Sequence, residues 1–262
     1  MNDTVLWSID GRGVAGVTLN RPAVNNAYNG ELIQGLHDAM DALQREPNLR
    51  VVVLRGNGRH FQAGADLSWI TSVAARSSAD NERASRLTAE AVRRLDVSPV
   101  PTVALVQGGC FGGGTGIVAA CDVVVASEDA VFSISETRWG LMAGIILPQL
   151  CHAIGLRQAR RYALTGERFG AEEARRIGLV HEVCPTGGLE MAGGRIVDSI
   201  LMNAPGATTA TKRRMFAAAG ALVDDTHLQD LIEEHALARQ GDEAREGLAS
   251  FKEKRKAAWY PG

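Results

Sequence analysis

Three short apolar runs, "VVVLRG" at 51–56, "TVALVQ" at 102–107 and "CDVVVAS" at 121–127, constrain this chain more than any other feature. Hydrophobicity that is continuous rather than alternating, rich in Val, marks strands covered on both faces, the pattern of a parallel sheet flanked by helices. Before them, "VLWSID" and "GVTLN" read as paired strands and "GELIQGLHDAMDALQRE" has the spacing of an amphipathic helix, so the first part runs β-β-α. A polar helical stretch over 79–96 and a break at Pro99 and Pro101 precede the second run. Beyond about residue 145 the pattern becomes almost wholly helical. The expected class is α/β, one core with a helical tail whose apolar faces must pack on that core or on a neighbouring subunit.

Composition narrows the function classes. With 262 residues, 45% of them hydrophobic, and a net charge of -2, the chain has material for a sizeable core and lacks the basic excess of a nucleic-acid binder. No start resembles a signal peptide and no apolar run is long enough for a membrane span, so the expected address is cytoplasmic. Cys110, Cys121, Cys151 and Cys184 are widely spaced, without a C-x-x-C pair, and read as small hydrophobes; no metal site is expected.

The segment "GGCFGGGTGIVAACD" at 108–122 carries its glycines at the end of a buried strand. Gly114, Gly116 and Ala119 fit G-x-G-x-x-A, with Glu136 downstream as the acidic residue of a dinucleotide site. The next strand begins at Asp122, which leaves no room for the crossover helix such a site needs. A Walker loop fails because no Lys-Ser or Lys-Thr follows. A packing turn explains one or two glycines. Bare backbone N–H groups at a short helix's start, aimed at a substrate oxygen, explain the set. The segment "GRHFQAGADLSWI" at 58–70 repeats the arrangement, with Asp66 as the expected N-cap, so two loops can aim one N–H each at a single point.

The segments "HFQAGADL", "GGCFGGGTGIVAACDVVVASEDAVFSISETRWGL", "YALTGERFGAEEARRIGLVHEV" and "SFKEKRKAA", in order along nearly the whole chain, resemble the enoyl-CoA hydratase/isomerase (crotonase) superfamily. The resemblance implies a crotonase-like spiral of β-β-α units over 1–187 and a C-terminal helical region over 188–262 that assembles homotrimers, often paired as hexamers. It places the two oxyanion-hole N–H groups on Ala65 and Gly113, where they grip a thioester carbonyl. Coenzyme A is implied as the thioester carrier, with contacts at Ala23, Val24 and Asn25, at Ala63, Asp66 and Leu67, and at Phe251 and Lys254 from a neighbouring subunit. Ala23 stands where Lys is frequent in the family.

Two-glutamate hydratases of the family carry one Glu at the position matched here by Gly116; the second matches Glu136 in "FSISETRWG". A lone Glu136 can serve as general base and then general acid, as in single-glutamate isomerases and hydratases of substituted acyl groups. Trp69, Gly116, Trp139, Met142, Ile146 and Leu147 are the expected acyl-pocket residues, with the space over Gly116 left for a bulky acyl group. The leading expectation is a hydro-lyase acting on a branched or substituted α,β-unsaturated acyl-CoA. The alternatives are a 3-enoyl/2-enoyl-CoA isomerase, a hydroxycinnamoyl-CoA hydratase-lyase and a non-catalytic acyl-CoA-binding relative.

Overall fold

A computed structural model describes residues 3–219 and 241–261, with Ile232, His235, Leu237 and Ala238 between them. β1 (Val5–Ile9) and β2 (Val14–Leu19) form an antiparallel pair. Parallel strands β3 (Val51–Gly56), β4 (Thr102–Val106) and β6 (Val123–Ser127) continue the sheet in the order β1-β2-β3-β4-β6, with β9 (Glu182–Cys184) at the far edge. A second, smaller sheet pairs β5 (Gly109–Phe111) parallel to β7 (Val131–Ser133), which meets β8 (Phe169–Gly170) antiparallel. The turns β4-β5 and β6-β7 each lay one strand in each sheet before a helix, the repeat of the crotonase-like spiral.

The continuous apolar runs have a direct cause in the layering. Val52, Leu54, Ala104, Val106, Val124 and Ala126 face a core shared with α1 (Gly30–Leu43) and α3 (Ser78–Asp96). Their sequence neighbours Val51, Val53, Val103, Leu105 and Val125 face the other way, onto Ala192, Val197 and Leu201 of α7 (Leu189–Leu201). Alternate residues of one strand thus serve two cores, and each buried Val or Leu contributes about 1.5–3 kcal/mol. The helical region expected over 188–262 accordingly begins with a helix belonging to the core layer. β8 and β9 also lie where the pattern reads as helical; strands of two and three residues are too short to display a period of their own.

The functional loops leave the sheet at strand ends. α2 (Leu67–Ala74) follows β3, capped by Asp66 as expected, and α4 (Gly113–Ala119) follows β5. α5 (Leu147–Thr165) contains a break at Gly155, φ +71°. α6 (Ala171–Arg176) precedes β9, and α8 (Pro205–Ala218) and α9 (Asp242–Lys252) close the described chain. The Glu243 carboxylate of α9 accepts the Gly206 and Ala207 N–H groups at the start of α8, each at 2.8 Å, so one side chain joins the two helices and satisfies free donors. Among the described residues no helix is long and apolar enough to cross a membrane.

α8 is anchored to the spiral by an ion pair. The Lys212 ammonium, largely buried, lies 2.6 Å from Asp122 Oδ2 and 3.1 Å from the Val100 carbonyl. The same Asp122 oxygen accepts the Thr102 N–H at 2.7 Å and hydroxyl at 2.9 Å. Asp122→Ala removes the acceptor of both Thr102 donors and the counter-charge of Lys212, whereas Lys212→Ala leaves the carboxylate its Thr102 bonds. Asp122→Ala is therefore expected to cost about 2–4 kcal/mol and Lys212→Ala less. Urea unfolding midpoints of the two variants check this ordering, and a reversed order refutes the shared-acceptor account.

Candidate functional site

Hydrogen bonds between three loops set the site's geometry. Tyr28 bridges to Ala65 in parallel fashion: its N–H donates to the Gly64 carbonyl and its carbonyl accepts the Asp66 N–H, both at 2.9 Å. Gln62 bridges likewise to Cys110, donating to Gly109 O at 3.1 Å and accepting the Phe111 N–H at 2.9 Å. The segments around 28, 62–65 and 109–113 consequently lie side by side. Side chains lock them: Gln62 Oε1 accepts the Gly64 N–H at 2.8 Å, and His60 Nδ1 accepts the Gly109 N–H at 2.7 Å. The His60 bond requires a neutral ring, and burial foremost, then the Arg59 charge, holds its pKa below the usual value. Buried Asn26 donates to the carbonyls of Asn57, His60 and Phe61 and fixes the first loop from below.

Within this clamp two donors stay unspent. Among the described residues neither the Ala65 nor the Gly113 N–H has an acceptor, although the Gly64, Asp66 and Gly112 N–H groups beside them are all bonded. Gly113 opens α4, where the first N–H groups have no intrahelical partner and the helix dipole favours negative charge. Both residues line one cavity of about 670 Å³.

Glu136 lines the same cavity, in a turn of 3-10 helix (Glu136–Trp139) after β7. Its carboxylate lies over Gly112, whose φ is +50° and where a Cβ would stand 3.0 Å from Glu136 Oε1. Glycine at 112 is thus required twice, by its backbone and by its neighbour. Glu136 Oε2 is buried with no hydrogen-bond partner. Burial pushes this carboxyl's pKa above the ordinary carboxylate value, against a hydrogen bond from its own backbone. Among the described residues lining the cavity, Glu136 is the one carrying a charge. A carboxylate, two convergent donors and an apolar surround can move a proton next to a carbonyl whose developing oxyanion is held.

Of the expected pocket residues, Trp69 and Ile146 form cavity wall, and Trp139 and Met142 stand at its mouth, 64% and 80% exposed. Two expectations fail. The space over Gly116 is not open: a Cβ there would stand 2.5 Å from the Ile146 Cβ, so Ile146 fills the seat a second glutamate would take. Leu147, the first residue of α5, turns away and packs on the core. Ala63 and Leu67 line the cavity, and Ala63 donates to the Asn25 carbonyl at 3.0 Å, which sets the exposed turn Ala23, Val24 and Asn25 beside the cavity rather than in it. The Asp66 carboxylate is occupied, accepting the Ser68 and Trp69 N–H groups as helix cap and pairing with Arg21 at 3.1 Å, so its side chain is not free for a ligand. Phe251 and Lys254 lie at the end of α9 and do not line the cavity.

The chain matches the family described as enoyl-CoA hydratase/isomerase over residues 10–261. It belongs to that family. The crystal structure of an enoyl-CoA hydratase from Shewanella pealeana is similar to it at a TM-score of 0.92 and 32% identity, over 98% of this chain and 96% of that one. A mevalonyl-coenzyme A hydratase of Aspergillus fumigatus is 32% identical over 247 residues, 94% of this chain and 90% of that protein. A hydroxycinnamoyl-CoA hydratase-lyase of Pseudomonas fluorescens is 32% identical over 203 residues, 76% of this chain and 74% of that protein. The chain is an enzyme of this family.

Sequence reasoning missed Tyr28. Its ring packs between the two donor loops, edge-on to Trp69 at 5.7 Å, and a Cβ on Gly113 would meet its Cε1 at 2.6 Å. The available signal was a polar-tipped aromatic directly after buried Asn26 and Ala27, in the same short segment as the expected coenzyme A contacts.

The seat over Gly116 gives a stability test. Gly116→Ala should destabilise by about 1–3 kcal/mol through overpacking. Combined with Ile146→Ala, its cost should fall short of the sum of the single changes by about 1 kcal/mol or more. Additive thermal-unfolding costs would show that Ile146 does not occupy the seat.

Proposed function

We propose that this enzyme adds water to, or removes it from, an α,β-unsaturated acyl-CoA, with Glu136 as the acid/base and the Ala65 and Gly113 N–H groups as the oxyanion hole. The observation carrying this reading is that Glu136 and the two residues with unspent donors line one cavity. In hydration a water oxygen bonds to Cβ and the double-bond electrons move onto the thioester oxygen as an enolate. Glu136 takes the water's proton and then returns it to Cα, so the sum is one added water. One hole donor is worth about 3 kcal/mol of barrier.

The acyl group of this reading is branched or otherwise bulky. A cavity of about 670 Å³ walled by residues such as Leu32, Leu36, Val73 and Val92 exceeds what a short straight chain fills, and supports this class. Coenzyme A would enter along Ala63 and Leu67 past the turn at Ala23, Val24 and Asn25. In the same reading the chain works as a homotrimer or a pair of trimers, Phe251 and Lys254 reaching a neighbour's thioester; Phe251 and Leu248 on α9, 84% and 62% exposed, support a face awaiting a partner. Light scattering should then return three or six times the 27.9 kDa chain mass, and a monomer removes these two residues from the site.

A second reading, transfer of a 3-enoyl double bond to the 2-position, is favoured by the filled seat over Gly116, because a one-proton shuttle needs one carboxylate. Product mass separates the two, since hydration adds one water and isomerisation adds nothing. A panel of crotonyl-, 3-methylglutaconyl- and feruloyl-CoA covers the size range.

Glu136→Gln should keep the fold and thioester binding but lower kcat at least about 100-fold, because an amide cannot accept and return a proton. The wild-type acid limb should lie above the ordinary carboxylate range, since the base must be ionised and burial has raised its pKa. Retention of more than about a tenth of wild-type turnover removes Glu136 from the chemistry.

A further inference from the structure

In the site of this chain a second polar group stands with Glu136 beside the oxyanion loops. The Tyr28 hydroxyl makes no hydrogen bond among the described residues, although the ring that carries it is held on three sides: by the bridge to Ala65, by Gly113 and by Trp69. Tyr28 lines the cavity, where a bound molecule can meet its hydroxyl. The adjacent glycines 112 and 113 carry the two groups together. A Cβ on Gly112 would stand 3.0 Å from Glu136 Oε1, and one on Gly113 would stand 3.4 Å from Tyr28 Cζ. Ile146 closes the seat from which a second carboxylate would hold the nucleophile.

Resting on the hydration reading above, we propose that Tyr28 positions the nucleophilic water, its hydroxyl oxygen accepting one water hydrogen while Glu136 accepts the other. This leaves the water's lone pair directed at Cβ of the enoyl group. Glu136 takes the proton it already bonds, the C–O bond forms, and the proton returns to Cα; Tyr28 gains and loses none. The phenol suits that role because it stays protonated: burial, and then the nearby Glu136 charge, push its pKa up to about 12. A neutral hydroxyl accepts a bond next to a carboxylate without adding a second negative charge.

The test is Tyr28→Phe, which keeps the ring between the loops and removes one oxygen. Hydration of the best enoyl-CoA of the panel is compared with exchange of the α-protons of its saturated analogue in D2O, read by mass. Exchange uses Glu136 and the hole and no nucleophilic water. Tyr28→Phe should lower hydration kcat about 10- to 100-fold, with KM within about 2-fold and exchange unchanged. Equal loss of hydration and exchange overturns the proposal, since the residue would then be shaping the hole. So does a variant that keeps more than about half of wild-type kcat. A wild-type enzyme that exchanges α-protons but hydrates no member of the panel overturns the hydration reading and the water seat with it. A hydrating wild type matched by its Phe variant overturns the water seat alone.

Discussion

The site depends on two parallel bridges, Tyr28 to Ala65 and Gln62 to Cys110, that hold three irregular loop segments at strand spacing. An oxyanion hole needs its donors fixed before the charge develops, because dipoles that must reorient give back much of what they stabilise. Loops are ordinarily the mobile part of a fold. Here the neighbouring N–H groups of Gly64, Asp66 and Gly112 are bonded, so Ala65 and Gly113 are left unpaired by an arrangement that fixes the backbone beside them. The parallel sheet below supplies the footing, since β3 and β4 run side by side and deliver their following loops to the same end.

Burial then sets the chemistry of the carboxylate. Glu136 is held against a glycine in a mostly apolar cavity, and burial is what raises its pKa. A surface glutamate in the first turn of a helix would be a weak base at neutral pH; desolvation raises its proton affinity, as the proposed role in proton transfer requires. Gly112 has a part in this, because any side chain there would displace the carboxylate.

The sequence made some of this legible and not the rest, for reasons that differ residue by residue. The Val-rich runs announced a sheet buried on both faces because their consecutive apolar residues alternate between one core and the other. Asp66 was readable as a cap because capping is local, and the same locality shows why its carboxylate is not available to a ligand. Gly116 misled, because a glycine reports that space is needed and not what fills it; Ile146, 30 positions further on, is the occupant. Tyr28 was invisible for a related reason. Its contacts run to residues 64–69, 113 and 136, and no periodicity links those positions. β9 escaped because a three-residue edge strand is defined by the partner it finds, here β6.

Gly116, Ile146 and Tyr28 are best understood as one change. Two carboxylates facing one water in an apolar cavity repel, and one of them must be held protonated or be compensated by nearby charge. With Ile146 over Gly116 and a neutral phenol beside Glu136, the cavity keeps a single ionisable carboxylate, whose pKa is raised by desolvation against a hydrogen bond from its own backbone. The exchange also alters shape, since apolar wall replaces a polar side chain that would need its own partners when buried. On the proposed reading such an enzyme works with one acid/base group, and a bulky apolar acyl chain meets no second buried carboxylate in its cavity.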